Sequence, residues 1–89
     1  MEATNKVKVN MLFVANIAIV AETERMEFQV STDVKQAIED IHRFFSGKKI
    51  RGLLYTVLIN DKVYSHALND GYTIAEGDNI TIVPVTLGG

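Results

Sequence analysis

The sequence predicts an α+β domain in which one main helix covers one face of a mixed sheet of about five strands. The order of its segments carries this prediction, because two alternating apolar and polar segments precede a helical segment and further β-rich segments follow it. With 89 residues, of which 47% are hydrophobic and 22% charged, the chain has the size and composition of one small globular domain. We expect residues 1–85 to form this domain and residues 86–89 to form a flexible tail.

The first two strands are predicted from alternation. Residues from Val7 to about Ala15 place apolar side chains at every second position, as a half-buried strand does. Residues 26–31, "MEFQVS", alternate in the same way and are expected to pair with the first strand in antiparallel fashion. Residues 16–25 connect the two strands, and their Ala and Glu content favours a helical turn.

A secretory signal is the alternative interpretation of this N-terminal region. "KVKVNMLFVANIAIVA" has two lysines, an apolar stretch and a small residue at Ala21, as signal peptides do. Asn10 and Asn16 interrupt the apolar stretch, however, and it is too short to span a bilayer. Cleavage after Ala21 would also remove the first strand, so we favour the strand and expect a cytoplasmic protein that does not enter the membrane.

The main helix is predicted to follow Asp33. This residue is expected to cap the helix, with Gln36 three positions later, as in a weak capping box. Gly47 is the predicted stop. Apolar residues then recur at helical spacing, namely Val34, Ala37, Ile38, Ile41, Phe44 and Phe45. The solvent side is assigned to Lys35, Glu39, Asp40 and Arg43.

The second half of the chain reads as strands joined by turns. Residues 52–60 are apolar at nearly every position and predict a central strand. A tight turn at residues 60–62 leads into a short predicted strand, Val63–Ser65, and turn signals at Asp70-Gly71 and at residues 76–78 precede the last strand, Ile80–Val85. With the first and last strands side by side in the middle of the sheet, this order is the β-grasp pattern of ubiquitin.

The sequence offers little to an enzyme acting alone. It has no cysteine, which excludes disulfides, thiolate nucleophiles, cysteine zinc sites and the iron–sulfur ligands of ferredoxin-type β-grasp domains. His42 and His66 have neither a nucleophile nor a third metal ligand beside them in sequence, so we predict no metal site and no bound cofactor. A net charge of −2 without a basic block does not indicate nucleic-acid binding.

The Gly88-Gly89 pair is the strongest functional signal. Glycine has no Cβ, so such a tail is thin and flexible enough to thread a narrow channel, and Val85, Thr86 and Leu87 before it are expected to help seat it in a partner. A frayed end is the simpler alternative. We favour a tail whose Gly89 carboxylate is delivered into the active site of another enzyme.

Three stretches resemble the MoaD/ThiS family of ubiquitin-like sulfur carriers. The opening "VNMLFVANIAIVAETERMEFQV" resembles molybdopterin synthase small subunits, and "TDVKQAIEDI" resembles the start of the family's helix. The stretch "LINDKVYSHALNDGYTIAEGDNITIVPVTLGG" resembles the hairpin, the x-Gly-Asp turn and the Gly-Gly end of the family. The likeness runs from about Val7 to Gly89.

The resemblance implies a sulfur-transfer mechanism. A partner adenylating enzyme of the ubiquitin-activating type, MoeB/ThiF-like, would use ATP to convert the Gly89 carboxylate to an acyl-adenylate. A sulfur donor would then replace AMP and leave a thiocarboxylate on Gly89. In molybdopterin synthase the tail inserts into the large subunit, which transfers the sulfur to a pterin precursor as acceptor. This chain would then be a sulfur-donating subunit in molybdenum cofactor biosynthesis.

Alternatives to that acceptor stay open because "VPVTLGG" has one proline and two residues before Gly-Gly, where MoaD proteins commonly have Pro-Pro-Val and one residue. This spacing resembles ThiS endings, so thiazole, a tRNA base or an amino-acid precursor remain possible acceptors. Conjugation to protein lysines through Gly89, as a ubiquitin-like modifier, is a further alternative, and a non-covalent β-grasp binding module is another.

The partner surface is expected on the sheet face away from the helix. Alternation assigns Leu12 and Leu58 to that face, with Val83 and Val85 leading toward the tail. Single exposed apolar residues are common on small sheets and often have no role. We nevertheless predict that Leu12, Leu58 and Val83 contact the partner.

Overall fold

A computed structural model describes residues 5–46 and 55–85 of the chain. These residues form five strands and three helices, and the strands make one five-stranded sheet with the spatial order β2-β1-β5-β3-β4. The elements in chain order are β1 (Lys6–Phe13), α1 (Asn16–Ala21), β2 (Arg25–Ser31), α2 (Val34–Ser46), β3 (Tyr55–Ile59), β4 (Lys62–Val63), α3 (Tyr64–Asn69) and β5 (Asn79–Pro84).

The centre of the sheet is a parallel pair made by the first and last strands. β1 pairs with β5 from Asn10↔Asn79 to Phe13↔Ile82. β2 joins the other side of β1, and β3 joins the other side of β5, both in antiparallel fashion. This mixed sheet with a main helix is the β-grasp arrangement, so the predicted fold class is confirmed.

The core lies between the sheet and α2. The helix is 13 residues long and buries Val34, Ala37, Ile41 and Phe45 on one side. Val34, Ile41 and Phe45 each contribute about 1.5–3 kcal/mol when fully buried. The strands meet the helix with every second residue, and the sheet's buried set is Val9, Met11, Phe13, Val30, Val57, Ile59, Ile80 and Ile82.

An aromatic cluster fills the end of this core where α2 finishes. Phe45 lies edge-on to Phe13 at 6.1 Å between ring centroids and 4.9 Å from the ring of Tyr55. Phe44 lies 5.4 Å from Phe28 of β2. Because aromatic pairs in these geometries add about 0.5–1.5 kcal/mol beyond area burial, the cluster ties β1, β2, β3 and α2 together.

The predicted cap of α2 is confirmed, but one residue of its predicted solvent side is not. The Gln36 backbone N–H donates to Asp33 Oδ2 at 3.0 Å, which caps the first turn. Asp40 was assigned to solvent, and that assignment is wrong, because it is buried at 9% exposure. Its Oδ2 accepts the Ser31 backbone N–H at 3.0 Å, and Arg43 Nη1 lies 3.2 Å from its Oδ1. Ser31 ends an edge strand, where an amide that does not pair within the sheet needs another acceptor.

The predicted strand Val63–Ser65 is also wrong in its extent. β4 has only two residues, Lys62 and Val63, and the six-residue helix α3 begins at Tyr64. The helix forms because its Ala67, 3% exposed, packs into the core beneath β3. The hairpin turn before it has φ of 51° at Asn60 and 72° at Asp61, the signs that a type I′ turn requires.

Candidate functional site

The structure places the three predicted contact residues on one face of the sheet. Leu12, Leu58 and Val83 alternate along β1, β3 and β5 with buried residues that face α2, so their side chains lie on the opposite face, where each is partly exposed. We call this surface the outer face. Its role in partner binding stays a prediction.

Strand register aligns one residue of each strand in a row across the outer face. Thr81 of β5 lies between Leu12 on β1 and Leu58 on β3, because it is the direct partner of both. Leu58 pairs in turn with Val63 on β4, and Leu12 pairs with Arg25 on β2. The row therefore crosses all five strands, with leucine on each side of a threonine and a cation at one end.

The outer face is apolar at one end and polar at the other. Two residues before the row, Asn10 of β1 pairs with Asn79 of β5, and the two side chains lie 3.4 Å apart. Two residues after Thr81, the apolar Val83 follows. The apolar end is thus the end toward which β5 runs. A shallow depression of about 490 Å³ lies at the polar end, where Asn10 and Glu27 line it, and reaches Leu12 and Thr81 of the row.

Val85 marks the point at which the chain leaves the sheet. β5 ends at Pro84, which pairs with Tyr55, and Val85 after it is 40% exposed. The proline has no backbone N–H, which suits the last position of a strand. The other predicted tail residues, Thr86, Leu87, Gly88 and Gly89, lie outside the described residues, and their role stays a prediction.

The loop before β5 fixes the register that sets this exit point. The Gly77 N–H donates to the Lys8 carbonyl at 2.8 Å, and the Asn10 N–H donates to the Asp78 carbonyl at 2.9 Å. The Lys8 N–H in turn donates to Glu76 Oε1 at 2.9 Å. Gly77 has φ of 87°, which side chains with a Cβ rarely adopt. The "EGD" stretch thus holds β5 against β1.

A polar network that sequence reasoning missed supports the same loop. The Tyr72 hydroxyl donates to Asp78 Oδ2 at 2.6 Å, and the Ala75 N–H donates to the same oxygen at 2.9 Å. Asn60 donates to the Tyr72 hydroxyl at 3.1 Å and accepts the Asn79 N–H at 3.0 Å. The β3–β4 hairpin and the start of β5 are therefore tied together. The turn motifs in the sequence predict the turns, but no motif predicts the side-chain contact between the turns.

These contacts shift two pKa values. Burial alone would raise the pKa of Asp78, but hydrogen bonds from the Ala75 N–H, Tyr72 and Asn60 outweigh it and hold the pKa below its usual range. The hydrogen bond to Asp78 chiefly raises the pKa of Tyr72, and burial and the negative charge of Asp78 raise it further. The pair is most favourable with Asp78 ionised and Tyr72 protonated.

The two histidines lie on different helices. His42 lies on α2, where its Nδ1 is 3.2 Å from the Tyr55 hydroxyl, and His66 lies on α3. Burial raises the pKa of Tyr55. Residues 5–46 and 55–85 contain no group of three His, Asp or Glu side chains that could hold a metal ion. None of the helices in these ranges is both long enough and apolar enough to cross a lipid bilayer.

Comparison with known proteins supports the fold. No protein-family model matches the sequence, and no curated protein does. The solution structure of small archaeal modifier protein 1 from Methanosarcina acetivorans matches with a TM-score of 0.65 and 20% identity, over 96% of this chain and 99% of that one. The solution structure of the Haloferax volcanii HVO 2177 protein matches with a TM-score of 0.68 and 17% identity, over 100% of this chain and 92% of that one.

A crystal structure of small archaeal modifier protein 1 from Haloferax volcanii is similar as well. It matches with a TM-score of 0.60 and 22% identity, over 92% of this chain and 99% of that one. All three matches span nearly the whole of both chains. At these identities they establish that the chain has the β-grasp fold.

Proposed function

We propose that this protein is a ubiquitin-like sulfur carrier that is activated at the Gly89 carboxylate. A partner enzyme of the ubiquitin-activating type, MoeB/ThiF-like, adenylates Gly89, and the resulting thiocarboxylate donates sulfur in cofactor biosynthesis. The partner that we propose for sulfur transfer is the large subunit of a molybdopterin-synthase-type complex, in which this chain is the sulfur-donating small subunit and a pterin precursor accepts the sulfur.

Neither the adenylation of Gly89 nor the displacement of AMP by sulfide needs a catalytic side chain on the carrier. A Gly89 carboxylate oxygen attacks the α-phosphorus of ATP, and pyrophosphate leaves. Sulfide then attacks the carbonyl carbon of the acyl-adenylate, and AMP departs with the electron pair of the broken C–O bond. The product is a thiocarboxylate, whose sulfur is a far better nucleophile than a carboxylate oxygen. The carrier has to present its tail and dock, and the enzyme supplies the rest.

The observation that carries the proposal is the position of the apolar end of the outer face relative to the point at which the chain leaves the sheet. The central parallel β1–β5 pair leads the chain out at Val85, and the apolar end of the outer face, with Leu12, Leu58 and Val83, lies at this same end. A carrier that must insert its tail into an enzyme needs a docking surface next to the tail. The β-grasp likeness to proteins named as modifiers adds general support.

Protein modification is a second candidate, because two of the similar structures are of proteins named small archaeal modifier protein 1. A modifier shares the adenylation step with a sulfur carrier. It differs afterwards, since the activated carbonyl of Gly89 would form an isopeptide bond with a lysine amine of a target. Attachment of this chain to other proteins would therefore separate the two candidates.

The first experiment measures the intact mass of the carrier. The purified full chain is incubated with ATP, sulfide and each ubiquitin-activating-type enzyme encoded in the same genome. We expect a mass increase equal to the replacement of one oxygen by sulfur, located at Gly89 by fragmentation. A variant without Gly89 and a reaction without ATP are the controls, and both should keep their original masses.

The outcomes distinguish the candidates. A thiocarboxylate on wild type that is lost in the controls supports the sulfur carrier. Conjugates of this chain with cellular proteins, absent when Gly89 is deleted, would instead favour the modifier. An unmodified mass with every enzyme, together with no conjugates, would contradict both and favour a non-covalent binding module.

A further inference from the structure

The short helix α1 exposes an apolar side chain that the core does not use. Ile17 and Ala21 of this helix are buried, but Ile19 is 77% exposed, although five of the six residues of the helix are apolar. Val14, just before the helix, is 41% exposed. Single exposed apolar residues are common, so their position relative to the tail decides whether they matter.

Both residues lie at the end of the molecule where β5 finishes. The Val14 N–H donates to the Ile82 carbonyl at 3.1 Å, which extends the β1–β5 ladder by one residue. Helix α1 follows within two residues and packs against β5. Val85 lies three residues after Ile82, so the chain leaves the sheet at the same end as the β1–α1 connection.

A groove connects this region to the outer face. The groove is an open depression of about 460 Å³ that runs from Leu12 and Thr81 on the sheet to Val14, Ala15 and Ala18 at α1. Glu24 and Arg25 add charged groups to its lining. The apolar end of the outer face therefore continues around the end of the sheet onto α1.

The length of the tail limits where an enzyme acting on Gly89 can sit. Four residues follow Val85 in the sequence, and a fully extended chain spans at most about 3.6 Å per residue, so the reach is about 14 Å. An active site that closes around Gly89 must therefore bring the body of the enzyme against the surface around Val85. Val14 and Ile19 are exposed apolar residues at this same end of the sheet.

We propose that Val14 and Ile19 form, with Val85, a docking site for the ATP-dependent adenylating enzyme. The inference rests on the proposed function, and it adds a contact on α1 to the outer face. The adenylating enzyme is the occupant because it must act on Gly89 first, whichever acceptor or target follows.

The test uses the adenylating enzyme that modifies the wild-type chain in the mass experiment. ATP–pyrophosphate exchange is measured against the concentration of the full-length carrier. For Ile19→Asp we expect KM to rise about tenfold or more, the effect of losing a central apolar contact, while kcat stays within about twofold of wild type. Because Ile19 is mostly exposed, the variant should fold, and its circular dichroism spectrum and thermal unfolding check this.

Leu68→Asp is the matched control. Leu68 lies on a six-residue helix too, α3, and is 43% exposed. It adjoins Thr32 and Asp33, which follow β2 at the end of the sheet opposite the chain exit. We expect this control to keep the wild-type KM.

The results separate this inference from the proposed function. If no enzyme activates wild type, the proposed function fails and the docking site with it. If wild type is activated and Ile19→Asp has the same KM as wild type, the docking site is wrong and the proposed function stands. An equal rise in KM for Leu68→Asp would also overturn the docking site, since the effect would then be one of charge. Self-association lost in Ile19→Asp with KM unchanged would assign Ile19 to a contact between copies instead.

Discussion

At the scale of single residues, Ala15 adopts a backbone geometry that suits glycine. Its φ is 55° and its ψ is −131°, close to the first central position of a type II′ turn. The Ile17 N–H donates to the Val14 carbonyl at 3.1 Å and closes that turn. Strained positions of this kind cost about 1–3 kcal/mol for residues with a Cβ. The strain stops β1 at Phe13 and turns the chain into α1.

We predict that Ala15→Gly stabilises the protein by about 1 kcal/mol, since relief of this strain exceeds the added chain entropy of glycine. Chemical denaturation measures the change in the free energy of unfolding. Ala18→Gly is the control, because Ala18 lies inside α1, where glycine costs about 0.5–1 kcal/mol. Loss of stability in both variants would contradict the assignment of strain to Ala15.

Single residues also show where sequence patterns stop being informative. The cap by Asp33 could be predicted because capping depends on neighbours within one turn. The burial of Asp40 could not, since it depends on the Ser31 amide nine positions away and on where the edge strand ends. A charged residue on the polar side of a helix is assigned to solvent until its distant partner is known.

At the scale of elements, strand alternation was a dependable guide, whereas the sequence pattern did not predict helix α3. Period-two burial along β1 and β2 places whole faces correctly from a handful of residues. Helix α3 has only six residues, too few for a periodic pattern, and it forms because Ala67 packs into the core. Short helices depend on tertiary contacts that no local window contains.

The loop that leads into β5 should make stability depend on pH. The pKa of Asp78 is lower in the folded protein than its usual value, so the ionised form stabilises the fold. This contribution is present above the unfolded pKa, near about 4, and is lost as pH falls through the lower folded pKa. Below that range the protonated carboxyl no longer favours the native state.

We predict that Asp78→Asn destabilises the protein near neutral pH and that its difference from wild type shrinks on acidification to about pH 2. Chemical denaturation at several pH values measures this difference. Asp61→Asn makes the same change of charge in the neighbouring hairpin, at a position with φ of 72° that asparagine tolerates. If both variants show the same pH profile, net charge rather than the Tyr72–Asp78 contact would be responsible.

At the scale of the whole molecule, the topology could be predicted because each element was consistent with one arrangement. Two alternating strands, an amphipathic helix and a strand rich in apolar residues leave few ways to bury every face at once. The predicted adjacency of the first and last strands is confirmed by the β1–β5 pair. The predicted role of Gly88 and Gly89 depends on a partner rather than on the fold, and it stays a prediction.

The last prediction concerns partner binding and uses the difference between the apolar and polar ends of the outer face. Leu12 and Leu58 flank Thr81 in one row, so Leu12→Thr with Leu58→Thr would make the row polar while introducing β-branched residues, which suit strands. We expect affinity for the adenylating enzyme, measured by isothermal titration calorimetry, to fall at least about tenfold, because both leucines lie in the centre of the proposed contact surface.

The control for this double variant changes the polar end of the same face. Gln29→Thr alters an exposed residue of β2 that pairs with Lys8, away from the apolar row, and should bind as wild type does. Both proteins must first unfold cooperatively, since partly exposed leucines also contribute to stability. A double variant that folds and binds with wild-type affinity would mean that the enzyme recognises the tail and α1 without the sheet. If Gln29→Thr lowers the affinity as much as the double variant does, the enzyme contacts the whole outer face and not the apolar row alone.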